Sequence, residues 1–179
     1  MSNKKSKLRC RLYLITPPKI TLNTFKDDLA DACDGGDVAC IQLRLKGADR
    51  DEILLAIDTL APIAQERNIA FILNDNPELA ARTGCDGVHI GQRDATYEQA
   101  RDIVGNNAIV GVTCHDKRYL AIEAAQKGAD YVAFGAFFPT STKRTTNQPE
   151  IEILDAWSTM TRVPCVAIGG ITHKNCHAL

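Results

Sequence analysis

Short apolar runs alternate with longer stretches of helical periodicity along the whole chain. Arg11 to Ile15, Ala39 to Leu43, Ala70 to Leu73, Gly87 to Ile90, Ile109 to Val112, Tyr131 to Phe134 and Cys165 to Ile168 predict seven strands. Most are apolar on both faces, as buried parallel strands are. Between them, Phe25 to Cys33, Arg50 to Arg67, Pro77 to Arg82, Tyr97 to Val104, Lys117 to Lys127 and Ile151 to Met160 predict helices. Asn76 before Pro77 and Asp116 before the fifth helix are predicted N-caps. Gly35, Gly84, Gly105 and Gly128 are predicted stops.

A weak repeat runs through Gly36-Asp37-Val38-Ala39, Gly84-Cys85-Asp86-Gly87-Val88 and Gly128-Ala129-Asp130-Tyr131-Val132. Each segment carries the chain from a helix end into a strand. Repeated strand–helix units in one domain mean either an open doubly wound sheet or a TIM (β/α)8-type barrel. A dinucleotide-binding sheet would carry Gly-x-Gly-x-x-Gly after its first strand, where this chain has Thr16-Pro17-Pro18, so the barrel is expected. A barrel also needs an eighth strand to close. Seven are visible, so the expectation is a longer parent protein or a gap covered by another chain, as in a homo-oligomer.

The 179 residues suit a single barrel domain, with a basic N-terminal tail over residues 1–9. Net charge is -1 and the isoelectric point about 6.4, which gives no global electrostatic case for nucleic acid or an anionic membrane. Leu12 to Ile15 is far too short for a signal-peptide core, and no stretch approaches spanning length. The seven cysteines contain no Cys-x-x-Cys pair and read as reduced, buried small hydrophobes of a cytoplasmic protein. Cys114 and His115 are neighbours on a strand and point to opposite faces, which argues against a nucleophile and its base. His173, Cys176 and His177 have helical spacing that could hold zinc but lack a fourth ligand. His89, inside an apolar run, reads as a hydrogen-bonded core residue.

The candidate chemistry gathers at strand ends, where a barrel of this type keeps its site. Alternation through Gln42-Leu43-Arg44-Leu45-Lys46 puts Gln42, Arg44 and Lys46 on one face. An arginine fork and a lysine point charge suit a polyanion, although the same pattern also fits a solvated edge strand. Asp75 and Asp94, from two neighbouring loops, are a hard-oxygen pair suited to Mg2+. Asp75 reads equally as a helix cap, and Asp94 as a turn. Thr113 ends the fifth strand. Thr140-Ser141-Thr142-Lys143 offers hydroxyls and a cation for a second phosphate, or else a flexible loop. Gly169-Gly170 allows close backbone approach, and Thr172 could cap a helix after the seventh strand.

Six segments carry a resemblance to the thiamine-phosphate synthase family. They are Gln42 to Lys46, Leu73-Asn74-Asp75, Gly84 to Asp94, Gly111 to His115, Phe138 to Lys143 and Val166 to Ile171. The resemblance implies a transferase that condenses 4-amino-5-hydroxymethyl-2-methylpyrimidine diphosphate with a thiazole phosphate. It implies that Gln42, Leu43, Arg44, Leu45, Lys46, Asn74, Thr113 and Lys143 hold the pyrimidine diphosphate. Asp75 and Asp94 would hold Mg2+, while Thr140, Thr142 and Gly169 would hold the thiazole phosphate. Arg44, Lys46, Lys143 and Thr113 would then serve the chemical step, because charge develops on the leaving diphosphate and no protein nucleophile is needed. Two departures stand out: the family's eighth strand with its serine loop is not visible, and Thr145 to Asp155 lacks a glycine common after the Thr-x-Thr-Lys loop. The alternatives are a thiazole tautomerase or regulator-like relative and an inactive ligand-binding fragment. The intact diphosphate residues and Ala136, near where those relatives place a catalytic histidine, favour the synthase.

Overall fold

The computed structural model describes residues 9–140 and 148–179. The strands are β1 (Leu12–Ile15), β2 (Val38–Leu43), β3 (Ala70–Asn74), β4 (Gly87–Ile90), β5 (Ile109–His115), β6 (Tyr131–Gly135) and β7 (Cys165–Ile168). They alternate with α1 (Leu22–Asp34), α2 (Arg50–Gln65), α3 (Pro77–Arg82), α4 (Tyr97–Val104), α5 (Arg118–Lys127) and α6 (Glu152–Met160), and a 3-10 turn (Cys176–Ala178) comes last. Each strand pairs in parallel with the next, so spatial order equals chain order, with β1 and β7 at the two edges.

The sheet is curled. In a flat sheet, strands five places apart would lie about 24 Å from one another. Yet the Tyr13 hydroxyl on β1 is 2.7 Å from that of Tyr131 on β6. Only a sheet rolled toward a barrel brings those phenols together. The expected TIM-type α/β architecture is therefore the observed one, with seven described strands.

Alternation divides every strand between two environments. Ile41, Leu43, Phe71, Leu73, Val88, Ile90, Val132 and Phe134 face outward into one apolar cluster with the helices, which contribute Ile57, Leu60, Ala64 and Trp157. The other set faces inward and carries Tyr13, Gln42, Asn74, His89, Thr113 and Tyr131, which hydrogen-bond to one another. The apolar runs predict strands that are apolar on both faces; the inner face is in fact substantially polar.

Local chemistry explains most boundaries. Asn76 caps α3 as expected, its side chain accepting from the Leu79 amide at 2.9 Å. Asp49 and Glu52 form a capping box on α2. Asp116 does not cap α5: Lys117 holds the N-cap position, and the Asp116 carboxylate instead contacts the Lys117 ammonium at 3.2 Å. Its other oxygen is buried with no hydrogen-bond partner among the described residues. Gly35, Gly105 and Gly128 end their helices, whereas α3 is capped by Thr83, one residue before Gly84. Helix α1 starts three residues earlier than its periodicity suggests, because Leu22 and Ile20 also pack on the core. Helix α2 stops at Gln65, and the left-handed Asn68 (φ 56°) turns the chain toward β3.

All seven cysteines are free, but only Cys33, Cys40 and Cys114 are buried. Cys85 and Cys165 are half-buried, and Cys10 and Cys176 are exposed because they lie outside the strands and helices of the barrel. No helix among the described residues is long and apolar enough to cross a membrane.

Candidate active site

Strand β2 ends at Leu43, as its apolar run predicts, so the alternating face of Gln42, Arg44 and Lys46 is not carried by the strand itself. Arg44 and Leu45 continue without regular structure, and Lys46 opens a turn that the left-handed Gly47 (φ 79°) completes. Two backbone bonds hold this segment. The Arg44 amide donates to Thr16 Oγ1 at 2.9 Å, and the Lys46 amide donates to the Pro18 carbonyl at 3.1 Å. Thr16, buried at the end of β1, thus anchors the proposed anion-binding residues. Sequence reasoning misses it, although its place at a strand end is an available signal.

Leu43, Arg44, Leu45, Lys46, Asn74 and Asp75 line one cavity of about 250 Å3 at the carboxyl ends of β2 and β3. A larger hollow of about 380 Å3 between α2 and α3 shares Ile53 and Asn76 with it but includes no strand residue. On the inner face, Gln42 Nε2 donates to Asn74 Oδ1 at 2.7 Å. That bond fixes both amides, leaving the Gln42 oxygen as an acceptor and the Asn74 nitrogen as a donor for a ligand.

Asp75 comes directly after Asn74 in the left-handed region (φ 66°), its amide donating to the His89 carbonyl at 2.8 Å. Burial pushes its carboxyl up to about 6, and a hydrogen bond with Asp94 and the charge of Asp94 push the same way. Asn74 and Arg44 oppose the rise. Asp94 is itself oriented by the Gly91 amide, which donates to it at 2.8 Å. Two carboxylates in contact require a shared proton or a cation between them. Mg2+ commonly takes one or two carboxylates together with water and phosphate oxygens, so this donor pair fits it. No group of three or more His, Cys, Asp or Glu side chains arranged for a metal occurs among the described residues. The His173, Cys176 and His177 side chains do not form such a group.

Thr113 lies on β5, two strands beyond Asn74, with its hydroxyl 2.7 Å from His89 Nε2. Its carbonyl accepts from Gln92 at 2.7 Å. His89 is a hydrogen-bonded core residue, as expected, and its partners include Tyr131 and Thr113. Cys114 is fully buried on the outer face, where burial pushes its thiol up to about 12, so it is no nucleophile.

On the far side, Gly169 and Gly170 both have positive φ (94° and 65°). A side chain at Gly169 would collide with Ala136, and one at Gly170 with the Phe138 and Pro139 carbonyls. The two glycines let the segment after β6 lie against the end of β7, where the Phe138 amide donates to the Gly169 carbonyl at 3.0 Å. Thr140, the last described residue of that segment, is half-buried. Thr172 Oγ1 accepts weakly from the Lys174 amide at 3.3 Å, capping a turn and not a helix. Thr142 and Lys143 lie outside the described residues.

Comparison with known proteins points the same way. The family described as thiamine monophosphate synthase matches residues 12–179. The chain is 61% identical over 163 residues to a thiamine-phosphate synthase of Rhodospirillum centenum, covering 91% of this chain and 79% of that protein. It is 45% identical over 175 residues to the thiamine-phosphate synthase of Hyphomonas neptunium, covering 93% and 78%. Among solved structures, the thiamine phosphate pyrophosphorylase of Pyrococcus furiosus superposes with a TM-score of 0.78 at 32% identity, covering 92% of this chain and 77% of that one.

Proposed function

Because the chain belongs to the thiamine monophosphate synthase family, we propose that it condenses 4-amino-5-hydroxymethyl-2-methylpyrimidine diphosphate with 4-methyl-5-(2-phosphoethyl)thiazole, giving thiamine monophosphate and diphosphate. The observation that carries this reading is the Gln42–Asn74 amide pair beside the Asp75–Asp94 carboxylates and Arg44.

In this mechanism the bond between the pyrimidine methylene and the diphosphate oxygen breaks, its electron pair leaving with diphosphate. The thiazole nitrogen then forms the new carbon–nitrogen bond. Arg44 and Lys46 stabilise the leaving charge, with Lys143 joining them from the 141–147 segment. The Gln42 oxygen and the Asn74 amide nitrogen orient the pyrimidine, and the Leu43 to Leu45 segment lines the adjoining cavity. Thr113 donates from the opposite wall. Thr140, Thr142 and Gly169 receive the thiazole phosphate. Asp75 and Asp94 are the residues that would hold Mg2+, which when bound supplies positive charge to the phosphate oxygens. The absence of an activated nucleophile near these strand ends, among the described residues, is in keeping with a displacement that needs none. The free cysteines fit a reducing compartment, and the proposed localisation is cytoplasmic.

The test is direct. The purified chain, given both substrates and Mg2+, should release diphosphate and thiamine monophosphate in equal amounts. Binding of the pyrimidine diphosphate with no product in any condition would contradict the proposal.

A further inference from the structure

A continuous polar chain crosses the barrel interior and is left unexplained by the reaction itself. Tyr13 Oη lies 2.7 Å from Tyr131 Oη, and Tyr131 Oη lies 2.8 Å from His89 Nδ1. His89 Nε2 lies 2.7 Å from Thr113 Oγ1. All three separations are those of full hydrogen bonds. His89 is 5% exposed and Tyr131 7%, so bulk water does not compete for these atoms. The Tyr131 ring sits 5.6 Å from both the Tyr13 and the His89 rings. Gly111 makes room for it, because a Cβ there would overlap the phenol.

A neutral imidazole has one donor nitrogen and one acceptor, so the chain has two directions. In one, Thr113 donates to Nε2, Nδ1 donates to Tyr131, and Tyr131 donates to Tyr13. Tyr13 must then spend its proton on the neighbouring Cys40 sulfur, a weak acceptor. In the other, Tyr13 donates to Tyr131, Tyr131 donates to Nδ1, and Nε2 donates to Thr113. A phenol is a more acidic donor than an aliphatic alcohol, so the imidazole acceptor goes to Tyr131 by preference. The second direction also leaves the Thr113 proton unspent inside the barrel and able to point into the site.

We propose that Tyr13, Tyr131 and His89 are positioning residues: their relay keeps the Thr113 hydroxyl a donor toward the bound pyrimidine diphosphate. This inference rests on the proposed function for its ligand. A diphosphate or a ring nitrogen can accept that proton, whereas a Thr113 committed to His89 would present only lone pairs to an anion. The relay starts on β1 and ends on β5, so it also ties the first strand to the far wall of the site.

The test combines spectroscopy with kinetics. Nitrogen-15 NMR of the histidine-labelled chain, with His89 assigned through His89→Gln, should show Nε2 protonated and Nδ1 bare. Tyr131→Phe removes the donor to Nδ1 and should move His89 toward the opposite tautomer. The same variant should lower kcat about 10-fold, the order of one hydrogen bond, with KM for the thiazole phosphate changed less than about two-fold. Tyr13→Phe, one link further away, should act in the same sense but less. Adding Tyr131→Phe to Thr113→Val should cost nothing beyond Thr113→Val alone. A wild-type His89 protonated on Nδ1 would overturn the relay, as would a fully additive double variant. If the chain makes no thiamine monophosphate at all, the proposed function fails and the NMR result alone decides the relay.

Discussion

The two faces of the same seven strands have been given different work. Outward residues such as Phe71, Val88 and Val132 are fully buried against helices and interchangeable in kind, apolar groups selected by volume. Inward, Gln42, His89 and Tyr131 are buried to a similar degree while Tyr13, Asn74 and Thr113 are half-buried, and all six differ in kind: an amide pair, a histidine, two phenols and a threonine, each with a named partner. Burial therefore does not set Gln42, His89 and Tyr131 apart from the outward residues. Polarity at a buried position does, because a buried polar group left unpaired costs about 1–3 kcal/mol and persists only where partners or ligands satisfy it.

If that division holds, substitutions on the two faces should separate stability from activity. The largest effect is expected on the outer face. Phe71→Ala should cost about 3–5 kcal/mol in denaturant unfolding, while the folded fraction keeps its turnover. Loss of turnover per folded molecule would break the comparison. At the rim, Arg44→Lys keeps the charge and loses the forked geometry, so turnover should fall about 100-fold to 1,000-fold with the unfolding midpoint almost unmoved. Wild-type turnover in that variant would remove Arg44 from the leaving group.

Gly111→Ala probes the inner face from beneath. Its new methyl would meet the Tyr131 ring, and the strain should cost about 1–3 kcal/mol and also displace the phenol from His89. A loss of stability with no loss of activity would show that the phenol does not serve the site. The smallest effect concerns pH. Burial and Asp94 raise the Asp75 carboxyl from 3.8 to about 6, so its contribution to stability is fully present below about 4 and is lost as pH rises through about 6. Asp94→Asn removes part of that rise and so part of the loss. The melting midpoint of Asp94→Asn minus that of the wild type, measured in EDTA, should therefore increase between pH 4 and pH 6. A flat difference would mean that the two carboxyls do not interact.

The outer face is legible in the sequence because apolar runs and helix periodicity report burial, and they place all seven strands to within three residues. The rim is legible only in part: Arg44 suits an anion and Asp75 with Asp94 a cation, but the same residues also read as an edge strand, a helix cap and a turn, and it is the fold that brings them together. The inner face is harder. Tyr13 and Tyr131 read as apolar members of apolar runs, and no local signal says that strands five places apart will bring two phenols together. Only the curl of the sheet does that. The Asp116 cap fails for a related reason: capping is a prediction from local sequence, and here the carboxylate is drawn to Lys117. The end of β2 at Leu43 is read correctly, but the alternation through Lys46 is not carried by the strand, because the chain turns at Lys46 and the left-handed Gly47.

The central claim is that the carboxyl ends of these strands bind a diphosphate through Arg44, Lys46 and a cation held by Asp75 and Asp94. Calorimetric titration of the pyrimidine diphosphate into the chain, in Mg2+ and again in EDTA, tests it most directly. The account predicts markedly tighter binding in Mg2+ and loss of that advantage in Asp75→Asn and Asp94→Asn. Equal affinity in Mg2+ and EDTA would contradict it.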